Sequence, residues 1–342
     1  MASPIDPLFA NTRLHVVTGK GGVGKTTVAA ALGVALAARG KKVLLVEVEG
    51  RQGISQVFDV APLGLQEVRL VTDRAGGSLH GLAVDAKAAL LEYLQLYYKL
   101  GRAGAALEKV GAIDFATTIA PGVRDVLLIG KVYEAAGRRE GGRRSDGPLT
   151  YDAIILDAPP TGRAARFLGV NEEVADIARV GPIRHQADSI TRMLQARSTR
   201  VHLVTLLEEM PVQETLDAIS DLSGAGFGLG AVIVNQVRDP FLDQAQRSLI
   251  GGIPDPVPAE HPVATALRAD LTRAGLRVST PMVAGLIAQG RAHAQRLDLE
   301  DEMLTQVHAA GLPVLTLPAL PGGTDGGGVS VLAESLLEQG VR

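Results

Sequence analysis

The segment Gly19-Lys20-Gly21-Gly22-Val23-Gly24-Lys25-Thr26 constrains this chain more than any other. It has the spacing G-x-x-x-x-G-K-[ST]. An apolar run, Leu14 to Thr18, precedes it, and an Ala-rich stretch, Thr27 to Ala38, follows it. Strand, glycine-rich turn and helix in that order make a phosphate cradle. The glycines let backbone N–H groups turn inward, and the helix N-terminus adds the positive end of its dipole. Lys25 is placed to neutralise the β- and γ-phosphates of a nucleotide, and the Thr26 hydroxyl to ligate Mg²⁺. The pattern predicts a nucleoside triphosphate, expected to be ATP, with Mg²⁺, held by Gly21, Gly22, Val23, Gly24, Lys25, Thr26 and Thr27. The competing reading is a glycine-rich turn with no ligand, which motif and context together disfavour.

Further apolar runs recur between helical patterns. They are Lys42 to Val48, Leu79 to Val84, Ala153 to Leu156, Val201 to Leu206, Ala231 to Asn235 and Pro313 to Leu317. Runs that are nearly continuous, rather than alternating, belong to parallel strands covered on both faces. The expected fold is therefore α/β: a doubly wound, mostly parallel sheet of the P-loop NTPase type. With 342 residues and 46% hydrophobic content the chain can bury a large core. We expect a flexible N-terminus over 1–11 and a single ATPase domain over 12–342. A helical insertion at about 86–135 carries Leu90, Leu91, Leu94, Leu96, Tyr97 and Leu100 at helical spacing. Its apolar stripe either packs on the sheet or a partner subunit, or receives a client. Gly137 to Gly147 is charged and Gly-rich, a solvated loop. Two helices are expected at about 259–274 and 281–309. Gly322 to Gly328 reads as a flexible loop before a terminal helix.

Phosphoryl transfer also needs a carboxylate near the metal and a group that orients water. The run Tyr151 to Asp157 is an apolar strand ending in an acid, followed by Ala158-Pro159-Pro160-Thr161-Gly162-Arg163. That is a Walker B pattern, with Asp157 at the Mg²⁺ shell and Gly162 in a mobile switch. The bland alternative makes Asp157 a turn cap. A second acidic segment, Val46-Glu47-Val48-Glu49-Gly50, closes the strand after the P-loop helix; the competing reading makes Glu47 and Glu49 ordinary strand-end charges.

These pieces resemble one family. Lys20 inside the phosphate loop, in the string Lys20 to Thr27, resembles the deviant Walker A of the ParA/MinD and arsenite-pump ATPase class. Asp157-Ala158-Pro159-Pro160-Thr161-Gly162-Arg163 with Arg166-Phe167-Leu168 is similar to the D-x-x-P-T-G-H-x-x-R-F-L of the ArsA (arsenite-transporting and tail-anchored-protein-targeting) ATPases and separates the chain from ParA/MinD. The segments Glu47 to Phe58, Leu82 to Tyr93, Phe115 to Val126 and Ile233 to Gln236 also match. The chain looks most like the single-domain actinobacterial (mycobacterial) branch. The resemblance implies that Lys20 reaches across a dimer interface to the partner's nucleotide, as an arginine finger does. It puts Glu49 where the family usually has the water-polarising Asp; the extra methylene implies slow hydrolysis. It gives Asn235 the adenine edge and Pro318 the start of a loop covering the base. It implies a homodimer or a heterodimer with a related ATPase-like subunit, and a protein client.

Composition narrows this further. There is no Cys, so neither the zinc clasp of the eukaryotic targeting ATPase nor a thiolate metalloid site can form here. Met totals 5, few for a promiscuous apolar groove. The net charge of -3 and pI near 6.2 suggest no nucleic-acid partner. No apolar stretch reaches the roughly 20 residues a bilayer needs, so a cytoplasmic protein without direct membrane insertion is expected. Two alternatives stand beside the dimeric switch: a ParA/MinD-like positioning ATPase, and an ATP-binding scaffold with slow turnover. Val329 to Arg342 is acidic where a MinD-like membrane helix would be basic.

Overall fold

Leu14 to Gly19 carry no acidic or basic charge apart from the titratable His15 and are rich in β-branched residues, and they form a strand buried along its whole length. In the computed structural model, which describes residues 5–48, 50–86, 88–89, 121–141, 146–169, 182–323 and 327–342, this strand is β1 (Leu14–Gly19). It follows the short helix α1 (Asp6–Ala10). Next come α2 (Lys25–Ala37), β2 (Lys42–Glu47), α3 (Gly53–Val57), β3 (Val68–Thr72), β4 (Ser78–Ala83), α4 (Pro121–Gly137), β5 (Ala153–Asp157) and α5 (Thr161–Leu168). Then follow α6 (Pro182–Leu194), β6 (Thr199–Thr205), α7 (Glu209–Gly224), β7 (Leu229–Val237), α8 (Gln244–Gly251), α9 (Pro262–Arg273), α10 (Thr280–Ala309), β8 (Val314–Pro318) and α11 (Gly328–Glu338).

The eight strands form one sheet in the order β3-β4-β2-β5-β1-β6-β7-β8. Every neighbouring pair is parallel except β3 with β4. This is the doubly wound α/β architecture expected, and each apolar run is a strand within two residues of its expected bounds. β3 was not foreseen. Its residues are exposed or half-buried, it lies at the sheet edge, and its pairing with β4 is interrupted between Arg69 and Val71. An edge strand of that kind leaves no continuous apolar signal. The helical insertion falls mostly outside the described residues, with Leu90, Leu91, Leu94, Leu96, Tyr97 and Leu100 among those not described. Its end is α4, which buries Val126, Ile129 and Val132.

Side chains alternate across the sheet and so divide the core into two layers. Val16, Leu44, Val46, Ile154 and Leu156 join the layer containing α4 and α6 residues. Val17, Val43, Leu45, Ala153 and Ile155 join the layer under α2 and α11. α2 is buried over most of its circumference, which explains its run of alanines. The chain passes from β1 outward to β2 on one side, and later from β5 across to β6 on the other. The carboxyl ends of the strands therefore open a crevice beside β1, where ligands of such sheets bind.

The chain divides into two compact units, 1–237 with 310–342, and 238–309. The second unit holds α8, α9 and α10; α8 was not anticipated, and the other two match the expected helices closely. It has a small core of Ile253, Ala264, Val283 and Ile287. Arg291 secures the unit by donating to the carbonyls of Ile253 and Pro254 at 2.9 and 3.0 Å.

One polar feature lies deep in the first unit. His15 of β1 and His202 of β6 are fully buried and stacked with Phe9. The Ala231 N–H donates to His202 Nδ1 at 3.1 Å, so the His202 proton sits on Nε2 and is donated to His15 Nδ1 at 3.0 Å. Both rings are neutral. Burial, with Arg200 nearby, pushes His202 down to about 3; burial, His202 and Lys41 push His15 well below its ordinary value. Below the unfolded value of 6.5 the unfolded chain takes up protons that the folded pair refuses, so stability falls with falling pH. Urea unfolding between pH 6.5 and about 4 should show this loss. His202→Gln keeps an acceptor and a donor and removes one titrating ring. It should cost about 1–2 kcal/mol at neutral pH yet flatten the acid slope.

Candidate functional site

The loop after β1 is shaped by two close approaches. A Cβ on Gly19 would strike the Val204 carbonyl of β6, so only glycine lets the loop leave the sheet here. Gly24 has φ +88, and a Cβ there would strike the side-chain amide of Asn235. Gly22 is also left-handed, and nothing stands within 4 Å of where its Cβ, or that of Gly21, would be. The loop thus presents bare backbone to an open side. Val23 anchors it below, 1% exposed in the α2 layer. α2 begins at Lys25 with its N-terminal N–H groups directed at the loop.

Around this loop the structure gathers the residues singled out from sequence. Thr26 Oγ1 donates to Asp157 Oδ2 at 2.6 Å, which ties the first turn of α2 to the end of β5. Thr27 lies in the same turn. Lys25 folds back so that Nζ donates to the Lys20 carbonyl at 3.1 Å. Lys20 extends the other way, and its Nζ pairs with Glu214 Oε1 of α7 at 2.8 Å. The second Glu214 oxygen accepts from Thr161 Oγ1 at 3.4 Å, at the start of α5. The Thr18 hydroxyl donates to the Pro159 carbonyl at 2.7 Å and holds the turn after β5 against β1.

Asn235 ends up nearly buried at the end of β7. Its Nδ2 donates to the Val23 carbonyl at 2.9 Å, and its Oδ1 accepts from Gln236 N–H at 3.0 Å. One amide proton and one lone pair remain unused by these bonds. Pro318 ends β8 opposite Val237, so it lies at the same end of the sheet, one strand over. Glu49 lies outside the described residues.

Two carboxylates were not among the expected site residues. Glu214 sits on a surface helix whose sequence carries no local signal; only the fold brings it to Lys20. Glu47 was seen as a strand-end charge, but it is 2% exposed, is the register partner of Asp157, and accepts from the Ile54 N–H at 3.2 Å. Among the described residues no three His, Asp or Glu groups form a metal cage. The donors here are a hydroxyl and carboxylates, hard oxygens that suit Mg²⁺ together with phosphate. The open backbone cradle and the Thr26–Asp157 pair fit Mg²⁺ and a nucleotide.

The contact between Gly24 and Asn235 can be tested by a double-mutant cycle. Gly24→Ala should destabilise by about 1–3 kcal/mol through its left-handed backbone and the collision with Asn235. In an Asn235→Ala background the same change should cost less, because the colliding amide is gone. Equal costs in urea unfolding would mean that the two residues are not coupled.

Comparison with known proteins agrees with this geometry. The profile of the anion-transporting ATPase (ArsA) family matches residues 12–197, which include the loop, Glu47, Asp157 and α5. The chain is 47% identical over 335 residues to ATPase BagA of Mycobacterium tuberculosis, covering 98% of this chain and 95% of that one. It is 26% identical over 264 residues to an Aquifex aeolicus protein provisionally named arsenical pump-driving ATPase 2, covering 67% and 83%. With its phosphate loop, its acidic strand end and a family match over more than half its length, this chain belongs to the anion-transporting ATPase (ArsA) family.

Proposed function

We propose that the chain is a Mg²⁺-dependent ATPase that works as a dimeric switch, converting ATP and water to ADP and phosphate and coupling this to a protein client or partner. The observation that carries the reading is the Thr26–Asp157 pair beneath an open glycine cradle. In this reading the N–H groups of Gly21, Gly22, Val23 and Gly24 and the first turn of α2, Thr27 included, hold the phosphates. Lys25 neutralises them. Thr26 and Asp157 serve the metal, whose charge polarises the γ-phosphate. Glu49 orients the attacking water, and its length makes turnover slow. Asn235 offers its spare donor and acceptor to the adenine edge, and Pro318 leads into the loop over the base.

Lys20 is assigned to the nucleotide of a second subunit, either a second copy or a related ATPase-like chain. Its present partner does not forbid this. The Lys20 and Glu214 side chains are 29% and 37% exposed, and an ion pair so open to water is worth at most about 1 kcal/mol. Exchange for a phosphate would be inexpensive. Because Glu214 also touches Thr161, the exchange would be felt at α5.

The client is not a thiolate-bound metalloid, since the chain has no Cys. Among the described residues no helix is long and apolar enough to cross a membrane. A cytoplasmic site of action fits, and nothing in the charge balance favours nucleic acid.

Lys20→Ala is the discriminating variant. It should bind ATP within about threefold of the wild type while losing at least about a hundredfold in turnover, the scale expected for a cation acting on developing charge. Unchanged turnover would remove the trans-lysine assignment. Loss of ATP binding would make Lys20 an ordinary part of the cradle.

A further inference from the structure

Glu47 is an unusual strand end. Strand alternation puts Val43 and Leu45 in the α2 layer, and Ala153 and Ile155 in the same layer. Glu47 and Asp157 continue these two series and are register partners. Their side chains therefore leave the sheet on the face that carries α2, from strands about 4.8 Å apart. Asp157 meets Thr26 of α2 there. Glu47 reaches α3, whose first residue, Gly53, is packed so close to Thr26 that an added Cβ would lie 3.0 Å from its methyl group. Glu47, Asp157, Thr26 and the N-terminus of α3 thus converge on one spot.

Glu47 is 2% exposed, yet only half of its carboxylate is satisfied. Oε2 accepts the Ile54 N–H, while Oε1 is buried without a hydrogen-bond partner. An orphaned buried carboxylate oxygen is costly, and a second buried carboxylate beside it adds repulsion. A cap for α3 explains Oε2 and leaves Oε1 unexplained. A divalent cation at the Thr26–Asp157 end of the site removes both costs.

We propose that Glu47 is a second carboxylate for the Mg²⁺ shell and that it joins the metal to the switch segment at α3. Oε1 serves the hydrated ion and Oε2 holds the Ile54 amide. Arrival of the metal therefore tightens α3, and with it the segment that begins at Gly50. This rests on the ATPase reading above, because the ion enters with the nucleotide.

The test is ADP binding, measured by calorimetry with EDTA and with Mg²⁺, for the wild type and Glu47→Gln. Glutamine keeps an oxygen for Ile54 and loses the charge. ADP affinity in EDTA should stay within about twofold, while the tightening that Mg²⁺ brings should shrink about tenfold, the usual effect of losing a metal's supporting carboxylate. Amide hydrogen exchange over residues 53–57 gives a second readout. In the wild type it should slow when Mg²⁺ is added to the ADP complex; in Glu47→Gln it should not respond. A variant with the full Mg²⁺ effect overturns the proposal. So does wild-type protein whose α3 exchange ignores Mg²⁺, a result that needs no variant to fold. If neither protein bound ADP under any condition, the ATPase reading itself would fall, and this inference with it.

Discussion

The hydrogen bond from Thr26 to Asp157 joins the start of α2 to the end of β5, and the phosphate loop is suspended from that junction. Its position follows from the sheet. β5 lies between β1 and β2, so its last residue stands beside the point where the loop departs. A serine-sized or threonine-sized hydroxyl at the first turn of α2 spans the gap to a carboxylate. The same two groups are hard oxygen donors, the chemistry that the proposed Mg²⁺ site calls on.

The loop is further fixed from strands on the other side of β1. Gly19 can leave the sheet only because nothing projects from it toward Val204 of β6. Asn235 of β7 grips the Val23 carbonyl and demands a glycine at position 24. The cradle is therefore braced by β5, β6 and β7 as well as by its own helix. Lys20 is the exception. It is directed outward to a half-exposed carboxylate on α7, where exchange of partners is cheap in free energy.

Much of this was legible in the sequence, for identifiable reasons. Parallel strands buried on both faces have to be apolar throughout, so Leu14 to Thr18, Lys42 to Val48 and their fellows stand out. β3 escaped because an exposed edge strand such as Val68–Thr72 has no such requirement. The loop, Thr26 and Asp157 stood out because phosphate chemistry restricts residue type at fixed spacing, and the structure brings Thr26 and Asp157 together. Glu214 could not, since it reaches Lys20 from a helix nearly two hundred residues away. Glu47 was visible as an acid but not as a buried one: only the register with Asp157 and the reach to Ile54 disclose its surroundings. Asn235 was picked for its place at a strand end, and the structure shows its side-chain amide holding the loop at the Val23 carbonyl.

The central claim is that this junction is a metal-dependent site of ATP hydrolysis completed by a second subunit. Release of inorganic phosphate from ATP by the purified chain tests it most directly, measured across protein concentration with Mg²⁺ and with EDTA. The account predicts turnover that disappears in EDTA and whose rate per chain rises with protein concentration, or on adding a related subunit. Turnover indifferent to EDTA, or a rate per chain independent of both concentration and partner, would contradict it.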